Sequence, residues 1–246
     1  MKQAVGSVSG IFPALCMTAW FNIGVADSST HLPQHVLFIG DSFTFFQGGI
    51  YLQVLSLVES NARRFPVTEA HVAVGGATLK HLWEMGDAVK AIDSDFYDTV
   101  VLQDDIPEIN VDYFRLYARL FVEEARKHGA RPVLYMTWAY DRLGWITMDQ
   151  IVDAHRELAK ELHVDVAPVG LAWKNARSER PDIDLFSSDR EHPSPDGMYL
   201  AACVMYSTLF SRDPTGLSYV PPQVSPKDAG FFQKIAWKTV NSDWLD

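Results

Sequence analysis

Three residues at two distant places in the chain could perform nucleophilic catalysis. Ser42 stands in Gly40-Asp41-Ser42-Phe43-Thr44, directly after the apolar run Val36–Ile39; Asp189 and His192 stand in Asp189-Arg190-Glu191-His192-Pro193. A serine hydroxyl is a poor nucleophile at neutral pH. It needs a base to take its proton, and the base needs a group to orient it. An aspartate three residues before a histidine can hydrogen-bond the imidazole across one tight turn. That bond would fix the tautomer and stabilise the imidazolium formed during attack. Ser194 reads as a helix N-cap and Pro195 as the first helical residue, so a rigid helix start follows His192 directly. Gly-Asp-Ser alone is also ordinary turn composition, so its setting decides.

That setting is a series of strand–helix units. Apolar runs at Val36–Ile39, Ala70–Val74, Thr99–Gln103, Pro132–Trp138 and Val164–Val169 predict five strands. Helices are expected at Ile50–Asn61, Leu79–Met85, Asp112–His128 (closed by Gly129), Met148–His163 and Pro195–Phe210. The strand runs are continuous rather than alternating, as befits a sheet covered on both faces. Alternation of this kind implies an α/β fold with a parallel sheet and right-handed crossovers. Chemistry then gathers at the carboxyl ends of the strands, where Ser42 sits. Arg180–Pro195 reads as a long loop leading into the last helix.

Four blocks now carry a resemblance. They are Gly40-Asp41-Ser42, Val74-Gly75-Gly76-Ala77-Thr78, the end of the third strand, and Asp189-x-x-His192-Pro193. In order and separation the chain resembles the SGNH hydrolases (GDSL esterases and lipases) from about Val36 to Phe210, and in wording an uncharacterised bacterial subgroup. The resemblance implies a flavodoxin-like three-layer α/β/α sandwich with five parallel strands in the order 2-1-3-4-5. It implies Ser42 as nucleophile, His192 as base and Asp189 as its orienting acid; Asp184 and Glu191 lack that spacing. The oxyanion would be held by the backbone N–H groups of Ser42 and Gly76. The third block departs from the pattern. The family has Gly-x-Asn-Asp there, and this chain has Gln103-Asp104-Asp105-Ile106-Pro107-Glu108-Ile109-Asn110. Gln103 is the expected third donor, with Asn110 as the alternative. The implied activity is hydrolysis of a small or carbohydrate-linked O-acyl ester through an acyl-enzyme. The alternatives are acyl transfer on the same machinery, or a non-catalytic binding protein on a degenerate fold. No cofactor or metal is implied.

Composition limits the other classes. The 246 residues carry a formal charge of −10, which disfavours nucleic acid and anionic membranes as partners. Residues 1–26 read as a signal peptide, with Lys2, an apolar stretch from Val8 to Val25, and small residues before a cut after Ala26. Residues 27–246 are then a single domain, secreted or periplasmic, with no stable membrane insertion after cleavage. Cys203 would be the sole remaining cysteine, in an apolar helix, and reads as a small buried hydrophobe. His31, His35, His71, His81 and His155 show no metal-ligand spacing and read as surface or locally bonded. His128 and His163 suit helix ends. Asp93–Asp98 lacks the glycine and glutamate of a calcium loop. Thr44 occupies the last glycine position of a Gly-x-Ser-x-Gly elbow, against an ordinary α/β-hydrolase. Trp138, Tyr140 and Trp145 are read either as groove-lining or as core.

Overall fold

The apolar runs form one five-stranded parallel sheet in the computed structural model, which describes residues 32–62, 65–94, 96–106, 111–141 and 144–246. The expected signal peptide and Asn110 lie outside the described residues. The strands are β1 His35–Gly40, β2 Thr68–Ala73, β3 Thr99–Gln103, β4 Arg131–Tyr135 and β5 Asp165–Ala167, in the order β2-β1-β3-β4-β5. All four pairings are parallel; β1 takes β2 on one side (Gly40 opposite Ala73) and β3 on the other (Ile39 opposite Leu102). The first strand is therefore interior, and its carboxyl end opens between the ends of β2 and β3. This is a topological switch point, where α/β sheets place their ligands.

Successive side chains of β1 point to opposite faces, and each face is buried. Val36 and Phe38 join the core under α2 (Ile50–Ser60), α7 (Val169–Glu179), α8 (Pro195–Phe210) and α9 (Pro226–Val240). Leu37 and Ile39 join the core under α3 (Leu79–Met85), α4 (Asp87–Ile92), α5 (Val111–Lys127) and α6 (Met148–Leu162). A four-residue helix, α1 (Ser42–Phe45), and a 3₁₀ turn at Phe46–Gly48 link β1 to α2. Every residue of α8 from Gly197 to Phe210 is buried, Cys203 included. A helix that is apolar all round must be covered all round; α2, α7 and α9 pack against it.

The observed elements differ from the sequence reading in two ways. β4 stops at Tyr135 and β5 at Ala167, where their mutual pairing ends. Pro168 then caps α7, so Val169 begins a helix rather than ending a strand. Helices α1, α4, α7 and α9 are not among those expected from the sequence; α9 nevertheless starts on Ser225-Pro226, with the same cap chemistry as Ser194-Pro195. Among the described residues no helix is long and apolar enough to cross a membrane.

Candidate active site

The turn that presents Ser42 is built by close approach. β1 ends at Gly40, where a Cβ would collide with Gln103 Oε1 and Thr44 Oγ1. Asp41 caps α1, its Oδ1 accepting from the N–H of Phe43 at 2.8 Å. Gln103 Oε1 accepts from the N–H of Asp41 at 2.8 Å and from Thr44 Oγ1 at 3.0 Å. Both sides of Ser42 are thereby pinned, while Ser42 itself is half-buried at the first position of α1, where helical N–H groups have no partner within the helix. The neighbouring strand brings the glycine turn alongside: Val74 N–H donates to Gly40 O at 3.2 Å, and Gly75-Gly76 follows, exposed. Gly76 is left-handed, with φ 66°, which favours glycine.

Asp189, His192 and Ser42 meet in one line. Ser42 Oγ lies 2.9 Å from His192 Nε2, and His192 Nδ1 lies 2.9 Å from Asp189 Oδ2. The other carboxylate oxygen, Asp189 Oδ1, accepts from the N–H groups of Glu191 and His192 at 3.0 and 2.9 Å. Partial burial pushes the Asp189 pKa upward, but these N–H groups and the imidazole outweigh it and hold the carboxyl below its ordinary value. The ionised Asp189 Oδ2 accepts a hydrogen bond from Nδ1–H, which leaves Nε2 free to accept one from the Ser42 hydroxyl.

The segment carrying His192 is braced from several elements. Trp138 Nε1 donates to Glu191 O at 2.9 Å, and the Trp138 ring stacks flat on Trp173 of α7 with centroids 3.8 Å apart. Ser187 N–H donates to His192 O at 2.8 Å; Ser187 Oγ and Gln47 Nε2 both donate to Pro193 O. Phe46 stacks on the imidazole at 4.4 Å, and Phe43 lies against it at 5.6 Å. Neither Phe46 nor Gln47 was singled out for this role from sequence. Their position just after Ser42 was the available signal. Trp138 and Tyr140 are buried, which settles them as core, whereas Trp145 is exposed.

Gln103 is not where an oxyanion donor must be. Its side chain is wholly buried behind the nucleophile turn, with its oxygen committed to Asp41 and Thr44 and its Nε2 enclosed without a partner among the described residues. The carboxamide supports the turn instead. Behind it lies a buried acidic group formed by Asp41, Asp104 and Asp105. Burial, then the charge of Asp105, pushes the Asp41 carboxyl up to about 8, against the Phe43 N–H. Burial likewise pushes Asp104 up to about 7, although the N–H groups of Leu79 and Asp105 oppose it. Tyr140 donates its hydroxyl to Asp105.

Other ionisable groups lie elsewhere. His155 is buried rather than at the surface; its ring bonds Ile151 O at 2.9 Å, and burial lowers its pKa to about 4. Asp93, Glu124 and His128 could bring three ligand atoms within 4.8 Å of one another. They sit near the C-terminal end of α5, at the end of the sheet where β4 begins, opposite the carboxyl ends of the strands that carry Ser42. Lys127 also bonds Glu124, as in an ordinary surface ion network.

No protein-family model matches the chain, and no curated protein does. Solved structures do. A DUF4886 family protein from Bacteroides uniformis is similar with a TM-score of 0.66 at 21% identity, over 84% of this chain and 94% of its own. A proposed SGNH hydrolase from Slackia heliotrinireducens gives 0.58 at 24%, over 72% and 98%. The chain has the SGNH hydrolase fold. A catalytic mutant of an acetylxylan esterase from Geobacillus stearothermophilus is also similar, with a TM-score of 0.59 at 18% identity over 77% of this chain and 97% of that one. Within the SGNH fold, Ser42 follows the first strand, Gly75-Gly76 the second and Gln103 closes the third. All three blocks lie at the carboxyl ends of adjacent strands, where His192 meets Ser42.

Proposed function

We propose that this protein is a serine esterase acting on a small or carbohydrate-linked O-acyl ester. The observation that carries the reading is the continuous hydrogen-bonded line from Asp189 through His192 to Ser42, on an SGNH fold. Ser42 Oγ attacks the ester carbonyl while His192 Nε2 takes its proton. Asp189 stabilises the resulting imidazolium and remains ionised. The N–H groups of Ser42 and Gly76 are the donors to the oxyanion. Collapse of the tetrahedral intermediate breaks the ester C–O bond, and His192 gives the proton to the leaving alkoxide. Water then attacks the acyl-Ser42, losing a proton to His192; the acyl C–Oγ bond breaks, His192 returns the proton to Ser42 Oγ, and the carboxylic acid departs. Ser42, His192 and water carry every proton movement in this sequence, and Asp189 only stabilises the charge on the imidazolium.

The absence of a Gln103 donor makes the oxyanion site sparer than the family pattern. One such donor is worth about 3–4 kcal/mol in the transition state, so turnover is expected to be slow. Hydrolysis of p-nitrophenyl acetate by residues 27–246 tests the reading. Wild type releases nitrophenolate with a burst that matches enzyme concentration, and Ser42→Ala does not. Equal rates for the two proteins would overturn it.

A further inference from the structure

We propose that a cavity beside His192 is the subsite for the alcohol half of the ester, and that it takes a neutral polyol such as a sugar ring. The inference rests on the esterase reading above and gives that site its substrate class. The cavity measures about 500 Å³ and lies between the 3₁₀ turn, α2, the start of α8 and the loop at 219–223. That is within the roughly 300–1,000 Å³ common for small-molecule sites.

Its lining is the first argument. Among the described residues that line it, none is Asp, Glu, Lys, Arg or His, although 21% of the chain is charged. An ionic ligand would find no countercharge. Three carboxamides line it instead, from Gln47, Gln53 and Gln223, beside the Tyr219 ring, Leu52 and several prolines. Each carboxamide offers both a donor and an acceptor, the pairing that adjacent hydroxyls require. Gln53 Oε1 is buried there without a partner among the described residues. An unpaired buried acceptor costs about 1–3 kcal/mol, which a ligand hydroxyl would recover. A long acyl chain would bury these amides without pairing them and is disfavoured for that reason.

Position is the second argument. Gln47 donates its Nε2 to Pro193 O at 3.0 Å, and the preceding Phe46 stacks on the imidazole. Pro195, three residues after His192, also lines the cavity. The cavity therefore adjoins the base rather than the glycine turn. In acyl transfer the imidazolium protonates the leaving oxygen, so the departing alcohol lies on the histidine side. Gln47 holds a left-handed conformation, φ 52° and ψ 39°, unusual for a residue with a side chain. Strain of this kind persists where the surroundings over-determine it and concentrates at ligand sites. Here it accompanies the bond from the Gln47 amide to Pro193 O, the residue after His192.

The test compares kcat/KM for an acetylated xylotriose and for p-nitrophenyl acetate, which has no polyol, in wild type, Gln53→Leu and Gln223→Leu. The inference predicts that each variant loses about ten-fold or more on the xylotriose ester, the worth of one hydrogen bond, while p-nitrophenyl acetate changes by less than about two-fold. Gln223 is exposed on its loop, so its variant remains informative should Gln53→Leu fold poorly. Equal loss on both esters, or none on either, overturns the polyol subsite and leaves the esterase intact. A gain by the variants on p-nitrophenyl octanoate reassigns the cavity to the acyl chain and also overturns it. Failure of wild type to turn over either ester defeats the esterase reading itself.

Discussion

In the proposed mechanism His192 depends on the residues that hold it. Asp189 fixes one ring nitrogen and Trp138 fixes the backbone beside it. Asp189→Asn keeps the shape but allows the wrong tautomer; kcat/KM for p-nitrophenyl acetate should fall by about 10³–10⁴-fold, read by initial rates with KM little changed. Gln103→Leu removes the acceptor for Asp41 N–H and Thr44 Oγ1. It should cost about 1–3 kcal/mol in urea unfolding, a loss that a solvent-facing oxyanion donor would not produce. The meeting of Ser42, Asp189 and His192 was legible in the sequence because each belongs to a short contiguous motif whose spacing has a physical purpose. The packing of Gln103 against the preceding turn was not. A carboxamide at a strand end can face the substrate or the preceding turn, and only the packing of β3 against β1 decides.

At the scale of elements, α8 converts a loop into a rigid mount. Ser194 accepts from the Gly197 N–H through Oγ and donates to Asp184 O, so one side chain closes the helix start and ties it to the loop. Ser194→Ala should lower stability by about 1 kcal/mol, measured as a shift in urea midpoint. Helix α8 itself was readable from Ser-Pro followed by an unbroken apolar run. The five strands and their order were readable too, because β1 through β4 are short apolar runs separated by helical patterns. Helix α7 was hidden: Val164–Val169 reads as one apolar strand, and only the short pairing with β4 divides it at Pro168. β5 is correspondingly short, and Gly170 N–H instead donates to Met136 O.

At the scale of the molecule, the buried acids make stability depend on pH. Asp41 and Asp104 have pKa values raised to about 8 and about 7, so each keeps its proton in the fold and releases it on unfolding. The unfolded chain binds fewer protons, and stability falls as pH rises through these values. His155 acts in the opposite sense. Its contribution grows from about 4 to its ordinary value of 6.5 and is complete above that. Between pH 6.5 and 8 the acids therefore govern. Urea unfolding should show stability declining across this window, by up to about 1.4 kcal/mol per pH unit for each proton released. Asp41→Asn should flatten the decline, and a wild-type curve rising across the window would refute the acidic group's protonated state.

The central claim is that Ser42 is made nucleophilic by His192. Its most direct measurement is the intact mass, then the peptide map, of protein treated with a fluorophosphonate. The account predicts one adduct per chain, on Ser42, absent from Ser42→Ala and strongly slowed in His192→Gln. A folded wild-type protein that leaves Ser42 unmodified, or a His192→Gln variant labelled at the wild-type rate, would contradict it.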